Sequence, residues 1–298
     1  SCNPNVPGHE ISGSPHHPTT HFPSPFSHLI YLCFHILSGV VFHQAFRYSQ
    51  HKDTHPLSVA AVNYVMAFFV SVAAYLIVGG GTSTPMIVLG LVNGVIYYVS
   101  LPFLLRCYQA AGVGISSAVL FISNITPILV AYLCHDEDIT SWQWIAIVLI
   151  PPAVFLMRPR ESGKREQGWG LKTDLQLLVL FLAGGTMATI HMEVELLTQG
   201  QGKTLYNMML FLAAGAVSAG YAAYARLKVT RFEYGLGSFI GVINICTVGF
   251  LLLSLATLST PVVFATAGAS VIGLNVVMAW MLWKERLTKT QAVGISLA

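Results

Sequence analysis

The sequence predicts an all-α polytopic membrane protein in which ten transmembrane helices form two inverted five-helix repeats. Three observations carry this. Hydrophobic residues make up 54% of the 298 residues and charged residues only 9%, with a mean hydropathy of +0.66; an ordinary soluble domain carries about a quarter charged residues. The apolar residues fall in runs of about 20, the length that crosses a hydrocarbon core of about 30 Å as a helix. One short polar motif recurs half a chain apart. This composition excludes a soluble globule, and it excludes a disordered chain, which would be poor in apolar residues. The net charge of +3 is too small to argue for a nucleic-acid partner. Cys2, Cys33, Cys107, Cys134 and Cys246 show no close pairing and read as apolar thiols.

Residues 1–26 are rich in Pro, Ser, Thr, Gly and His, contain no Lys or Arg, and read as a disordered tail. No charged segment leads into a short apolar core there, so no intact signal peptide is expected. The histidines His9, His16, His17, His21 and His28 show no fixed ligand geometry, and no metal site is predicted. Candidate spans follow at 27–46, 57–78, 86–107, 114–134 and 142–157, then at 174–197, 205–225, 236–257 and 260–283. A tenth opens near residue 289 and is expected to be incomplete at Ala298. The alternation of a membrane barrel is absent, so the spans are helices. The fifth is the shortest, and Pro151 and Pro152 must bend it. The longest connection, 158–173, carries Arg158, Arg160, Lys164, Arg165 and Lys172. It reads as a linker between a first half, 27–157, and a second, 174–298.

The halves repeat. Glu137-Asp138-Ile139-Thr140-Ser141-Trp142-Gln143 follows the fourth span, and Glu285-Arg286-Leu287-Thr288-Lys289-Thr290-Gln291 follows the ninth, 148 residues later. The same offset places His43 over His191. An offset of 147 places Gly94-Val95-Ile96 over Gly241-Val242-Ile243 and Phe103-Leu104-Leu105 over Phe250-Leu251-Leu252. Five spans per half is an odd number, so the second half enters from the opposite face. Inverted repeats of this kind belong to secondary transporters, whose site lies near the midplane between the halves.

Residues Ser259 to Ala298, with Pro261-x-x-Phe264-Ala265 early and Lys284-Glu285-Arg286-Leu287-Thr288-x-x-Gln291-Ala292-x-Gly294 late, resemble the second EamA repeat of the drug/metabolite transporter superfamily. Residues 116–156, with Pro127 and Glu137-x-x-Thr140-x-x-Gln143, resemble the corresponding part of the first. The resemblance runs from about residue 27 to the end. It implies ten helices in a 5+5 fold and transport, often export, of a small metabolite, in a bacterial inner (plasma) membrane. The chain departs from the family in three places. Asp136 stands before Glu137 where a small residue is usual, the first span lacks an embedded carboxylate, and the tenth helix is incomplete.

Lys and Arg concentrate in cytoplasmic loops. With the tail outside, fourteen of the fifteen Lys and Arg residues face the cytoplasm and Lys203 alone lies outside. The two motif copies agree, one flanked by Asp136 and Asp138, the other by Lys284, Arg286 and Lys289. The resemblance implies both termini in the cytoplasm; the charge bias places the N-terminus outside, and that is the orientation expected here.

Polar groups in the hydrocarbon region are costly and face a cavity or a partner helix. The candidates for a solute cavity are Asn63 and Tyr64 in the second span, Asn93, Tyr97 and Tyr98 in the third, Ser123 and Asn124 in the fourth, and Asn244, Thr266 and Ser270 in the second half. Interhelical hydrogen bonding, worth about 0.6 kcal/mol on average, is the alternative role for each. Asn124 lies one turn before Pro127, whose missing donor frees the carbonyl of Ser123. Tyr64, Tyr97 and Tyr98 offer aromatic walls to an organic solute. Trp142, Trp144 and Trp283 lie near span ends and read as interfacial anchors. His43 and His191 are related by the repeat, and histidine titrates near neutral pH. Glu195 shares a helix face with His191 at i,i+4, whereas Glu193 points elsewhere. His43, His191 and Glu195 are therefore the candidate proton carriers, with hydration at the helix end as their alternative role.

No GxSxG, HExxH or phosphate-binding loop is present, so no enzymatic activity, ATP-driven pumping or cofactor is expected. The lack of a deep midspan Lys or Arg argues against a phosphorylated solute. The expected function is a secondary transporter, an exporter, of a small organic metabolite by alternating access. Its partners are the solute and the lipid bilayer, with no nucleic acid. A membrane scaffold or receptor and an intramembrane enzyme are the alternatives, and neither requires an inverted repeat.

Overall fold

The computed structural model describes residues 25–52, 54–157, 171–198, 202–285 and 288–297. The tail histidines His9, His16, His17 and His21 and the linker cations Arg158, Arg160, Lys164 and Arg165 lie outside the described residues. Among the described residues 88% are helical and none is in a strand, so they form a helical bundle and no part of a barrel. The helical elements are α1 (Pro25–His51), α2 (Pro56–Val78), α3 (Thr84–Ile122), α4 (Ile125–Cys134), α5 (Ser141–Met157), α6 (Leu171–Thr198), α7 (Lys203–Tyr224), α8 (Arg231–Leu255), α9 (Thr260–Trp283) and α10 (Lys289–Leu297).

Seven segments have the length and composition to cross a membrane, and the chain is an integral membrane protein. One of them, Thr84–Cys134, is 51 residues long. At 1.5 Å per residue it would measure about 76 Å, more than twice a hydrocarbon core. It contains the third and fourth expected spans, and the connection expected between them is helical rather than a loop. The break is conformational: Gly112 has φ 83° and ψ 165° inside α3, a left-handed region that glycine enters without steric cost. A second break at Ser123 and Asn124 divides α3 from α4. The carbonyl of Ser123, expected to be free because of Pro127, instead accepts from the Thr126 amide at 3.0 Å. α5, with 17 residues, is at the lower end of the length that crosses a membrane, and α10 is described over 9 residues.

Helix starts follow local chemistry. Pro56, Pro85 and Pro261 occupy first turns, where a missing N–H costs nothing. α8 opens on a capping box: Thr230 Oγ1 accepts from the Glu233 amide at 3.2 Å, and Glu233 Oε2 accepts from the Thr230 amide at 2.8 Å. The T-x-x-Q half of the repeated motif is the same device at α10. Gln291 Oε1 accepts from the Thr288 amide at 2.9 Å, and Thr288 Oγ1 accepts from the Gln291 amide at 3.3 Å.

Packing is most extensive between α2 and α7, α3 and α7, α3 and α6, α1 and α8, and α2 and α8, while α5 lies on α10. Lipid removes the hydrophobic drive between helices, so close approach of backbones must supply the attraction. Gly90 and Gly94 on α3 meet the backbone of α7 at Tyr206 and Leu210. Gly237 and Gly241 on α8 meet the backbone of α2 at Val59 and Asn63. At each of these four glycines an added Cβ would collide with its neighbour. Large apolar side chains such as Leu76, Ile77 and Trp280 are exposed on the outer surface, as expected where the solvent is hydrocarbon rather than water.

Candidate functional site

The break at Gly112 leaves backbone groups that lipid cannot satisfy. Side chains from α1 and from the end of α9 take them up. Arg47 Nη1 donates to the Tyr108 carbonyl at 3.0 Å and Gln50 Nε2 to the Leu105 carbonyl at 2.8 Å. The Val113 amide donates to Glu285 Oε2 at 3.1 Å, and Arg47 Nη2 lies 3.3 Å from Glu285 Oε1. The other motif glutamate plays the matching role, since Thr260 Oγ1, at the start of α9, donates to Glu137 Oε1 at 2.9 Å. Glu137 and Glu285 thus each hold the first residues of a helix in the opposite half. The sequence singled these residues out as a repeat without indicating this role.

A cavity of about 140 Å³ lies inside the bundle. α1 contributes His35, Gly39, Phe42 and His43, and α2 contributes Tyr64. α3 brings Tyr97, Ser100, Leu101, Leu104, Leu120 and Phe121, and Asn124 enters from the break before α4. Leu180, Gly184, Met187, Ala188 and His191 come from α6, Asn244, Thr247, Val248 and Leu251 from α8, and Phe264 from α9. Most polar groups of the wall already have partners. His35 Nδ1 is 2.9 Å from the Thr247 carbonyl, and His43 Nδ1 meets the Tyr108 hydroxyl. The Tyr64 hydroxyl donates to the Tyr97 carbonyl at 3.1 Å, and Asn244 Nδ2 donates to Asn63 Oδ1 at 3.3 Å. His191 is 2% exposed, its Nε2 has no partner among the described residues, and its ring meets Tyr97 and Tyr206 edge-on.

Of the ten residues the sequence offered for the cavity, Tyr64, Tyr97, Asn124 and Asn244 line it. Asn63 sits behind the wall, bonded to Asn244. Asn93 is buried elsewhere, donating to the Tyr206 hydroxyl at 2.5 Å and tying α3 to α7. The hydroxyl of Ser123 donates to the Leu120 carbonyl. Tyr98 and Ser270 are half-buried away from the cavity, and Thr266 is exposed. His43 and His191 both line the cavity, but Glu195 does not. Its carboxylate pairs with Lys203 Nζ at 2.6 Å, and that ammonium also donates to the Leu252 carbonyl at 2.9 Å. The pairing expected between His191 and Glu195 is thereby replaced by one to α7. Glu193 pairs with His135 Nε2 at 2.7 Å. Trp283, expected as an anchor, donates from Nε1 to Gln44 Oε1 at 2.7 Å and stacks on His51.

The phenylalanine walls and Gly39 escaped the sequence reading. A signal existed, because His35, Gly39 and His43 recur at i, i+4 and i+8 and so share one face of α1. Among the described residues no group of three His, Cys, Asp or Glu could hold a metal ion.

No protein-family model and no curated protein matches the chain. Among solved structures, one described only as the crystal structure of a protein is similar with a TM-score of 0.64 at 15% identity, covering 91% of this chain and 93% of that chain. That likeness is one of fold.

Proposed function

We propose that this protein is a secondary transporter of a small organic solute, exporting it by alternating access between two inverted halves of the EamA type. The observation that carries the reading is the cavity, a largely apolar space walled by α1, α2 and α3 from one half and by α6, α8 and α9 from the other. Transporters of inverted-repeat design hold their solute at that place. The packing supports the repeat. Exchanging the halves turns the α3–α7 contact into α8–α2 and the α3–α6 contact into α8–α1, and maps α2–α7 and α5–α10 onto themselves. Gly90 and Gly94 correspond to Gly237 and Gly241 at an offset of 147, Glu137 corresponds to Glu285 at 148, and Val113 corresponds to Thr260 at 147.

Transport is tested with purified protein in proteoliposomes loaded with a metabolite extract. Trans-stimulated exchange of at least one solute is expected, and its absence across the pool would overturn the reading. Asn244→Leu fills part of the wall with apolar volume and removes the bond to Asn63. It is expected to lower the exchange rate about tenfold, in proportion to about 1–3 kcal/mol of lost solute complementarity, while the protein still purifies as a monodisperse species.

Orientation follows the charge bias, with the α4–α5 connection outside and the α7–α8 connection in the cytoplasm. In a background without native cysteines, Asp138→Cys is expected to react with an impermeant maleimide in intact cells, and Lys228→Cys only after permeabilisation. The reverse pattern would invert the topology.

A further inference from the structure

Among the described residues, those that line the cavity include no Asp, Glu, Lys or Arg. A solute that carries a full charge would leave water for a site with no counter-charge, which is strongly unfavourable. Among aliphatic side chains such as Leu101, Leu104, Leu180 and Val248, the wall carries the rings of Phe42, Phe121 and Phe264, with Tyr64, Tyr97 and the imidazoles. Edges and faces of this kind favour another aromatic ring in offset or edge-on contact. The space, about 140 Å³, is close to the roughly 150 Å³ of a dry cavity that takes up benzene, so it suits one ring.

Among the fully buried side-chain nitrogens and oxygens of the described lining residues, one is left without a partner. His191 Nε2 is buried with no partner among the described residues. Among the described residues no carboxylate lines the cavity to balance an imidazolium. One nitrogen of a neutral imidazole donates and the other accepts, so Nε2 can meet a hydrogen-bonding group in either role. A buried polar nitrogen without a partner is costly and calls for one from the occupant.

We infer that the cavity takes an uncharged single-ring aromatic or heteroaromatic solute whose polar N–H or O–H group hydrogen-bonds with His191 Nε2. This deepens the transporter reading and rests on it for the purpose of the site. His35, His43, Tyr64 and Asn244 keep their protein partners and shape the wall, while His191 selects the polar group of the solute.

The test is equilibrium dialysis of the purified full chain in detergent, with micelles alone as reference, against phenol, toluene, benzylamine and benzoate at neutral pH. Phenol and toluene share a shape and differ in one O–H, so phenol is expected to bind at least about tenfold more tightly. Benzylamine and benzoate, charged at that pH, are expected to bind more weakly than phenol. His191→Phe keeps the ring contacts and is expected to bring phenol and toluene within about twofold of each other. The comparison in the parent protein does not depend on that variant folding. Equal binding of phenol and toluene, tighter binding of either charged probe, or no binding of any probe would each overturn the inference. Exchange of a charged solute in the proteoliposome assay would sink this solute class and keep the transporter. Phenol binding without any metabolite exchange would keep the site and sink the transporter.

Discussion

Gly94→Ala and Gly241→Ala are each expected to lower the melting temperature in detergent sharply, although each adds one methyl group to a helix. The new Cβ of residue 94 would overlap the Leu210 carbonyl and lie 2.8 Å from Ala213 Cβ. That of residue 241 would lie 2.9 Å from Met66 Cβ and collide with the Asn63 carbonyl. Both obstacles are backbone or Cβ atoms, which cannot rotate away, so whole helices must part. Overpacking of this kind costs about 1–3 kcal/mol, against about 1 kcal/mol gained from replacing glycine within a helix. Gly249 and Gly273 supply the control. Nothing lies within 4 Å of an added Cβ at either position, so alanine there is expected to leave stability unchanged or to raise it. Thermal unfolding followed by tryptophan fluorescence reads all four. Equal melting temperatures would show that the α3–α7 and α2–α8 contacts do not hold the bundle together.

Glu285→Ala is expected to be more damaging than Glu137→Ala, although the two residues are repeat equivalents. Glu285 carries an ion pair to Arg47 and the amide of Val113, with side-chain exposures of 17% for Arg47 and 19% for Glu285. Breaking a buried pair costs about 3–5 kcal/mol, and the partial exposure brings the expected loss down to about 2 kcal/mol. Among the described residues the Glu137 carboxylate accepts from the Thr260 hydroxyl, a bond whose removal costs about 1 kcal/mol. A double-mutant cycle separates the causes. Arg47→Ala should couple to Glu285→Ala by about 1 kcal/mol or more and to Glu137→Ala not measurably. Additive losses at the first pair would mean that the carboxylate acts through Val113 alone. Glu285→Gln keeps an acceptor for the amide and should fall between the parent and Glu285→Ala.

These two glutamates illustrate how far a sequence reading reaches. The motif repeat was visible because glutamate, threonine and glutamine are rare among apolar spans, so their recurrence at one offset stands out. The T-x-x-Q half was interpretable from local chemistry, since a capping box is made within one turn. The glutamate half was not, because its partners, Val113 and Thr260, lie more than a hundred residues away and carry no local mark. Gly112 fell in the connection expected between the third and fourth spans, but nothing local marked it as the single residue at which an otherwise continuous helix turns.

The sequence by itself determined the solvent of this protein and the segments that enter it. Length and hydropathy are properties of a run of residues and need no neighbours. Which face each polar side chain presents was decided only by the tertiary structure. In a soluble helix the polar face marks the solvent side, but in lipid both faces are apolar and that contrast disappears. Asn244 and Thr266 therefore looked alike. Packing turned Asn244 inward to Asn63 and the cavity, and left Thr266 on the exposed side of α9. For the same reason Glu195, aligned with His191 on one helix, could reach Lys203 instead: the choice depended on where the start of α7 came to rest against α6 and α8.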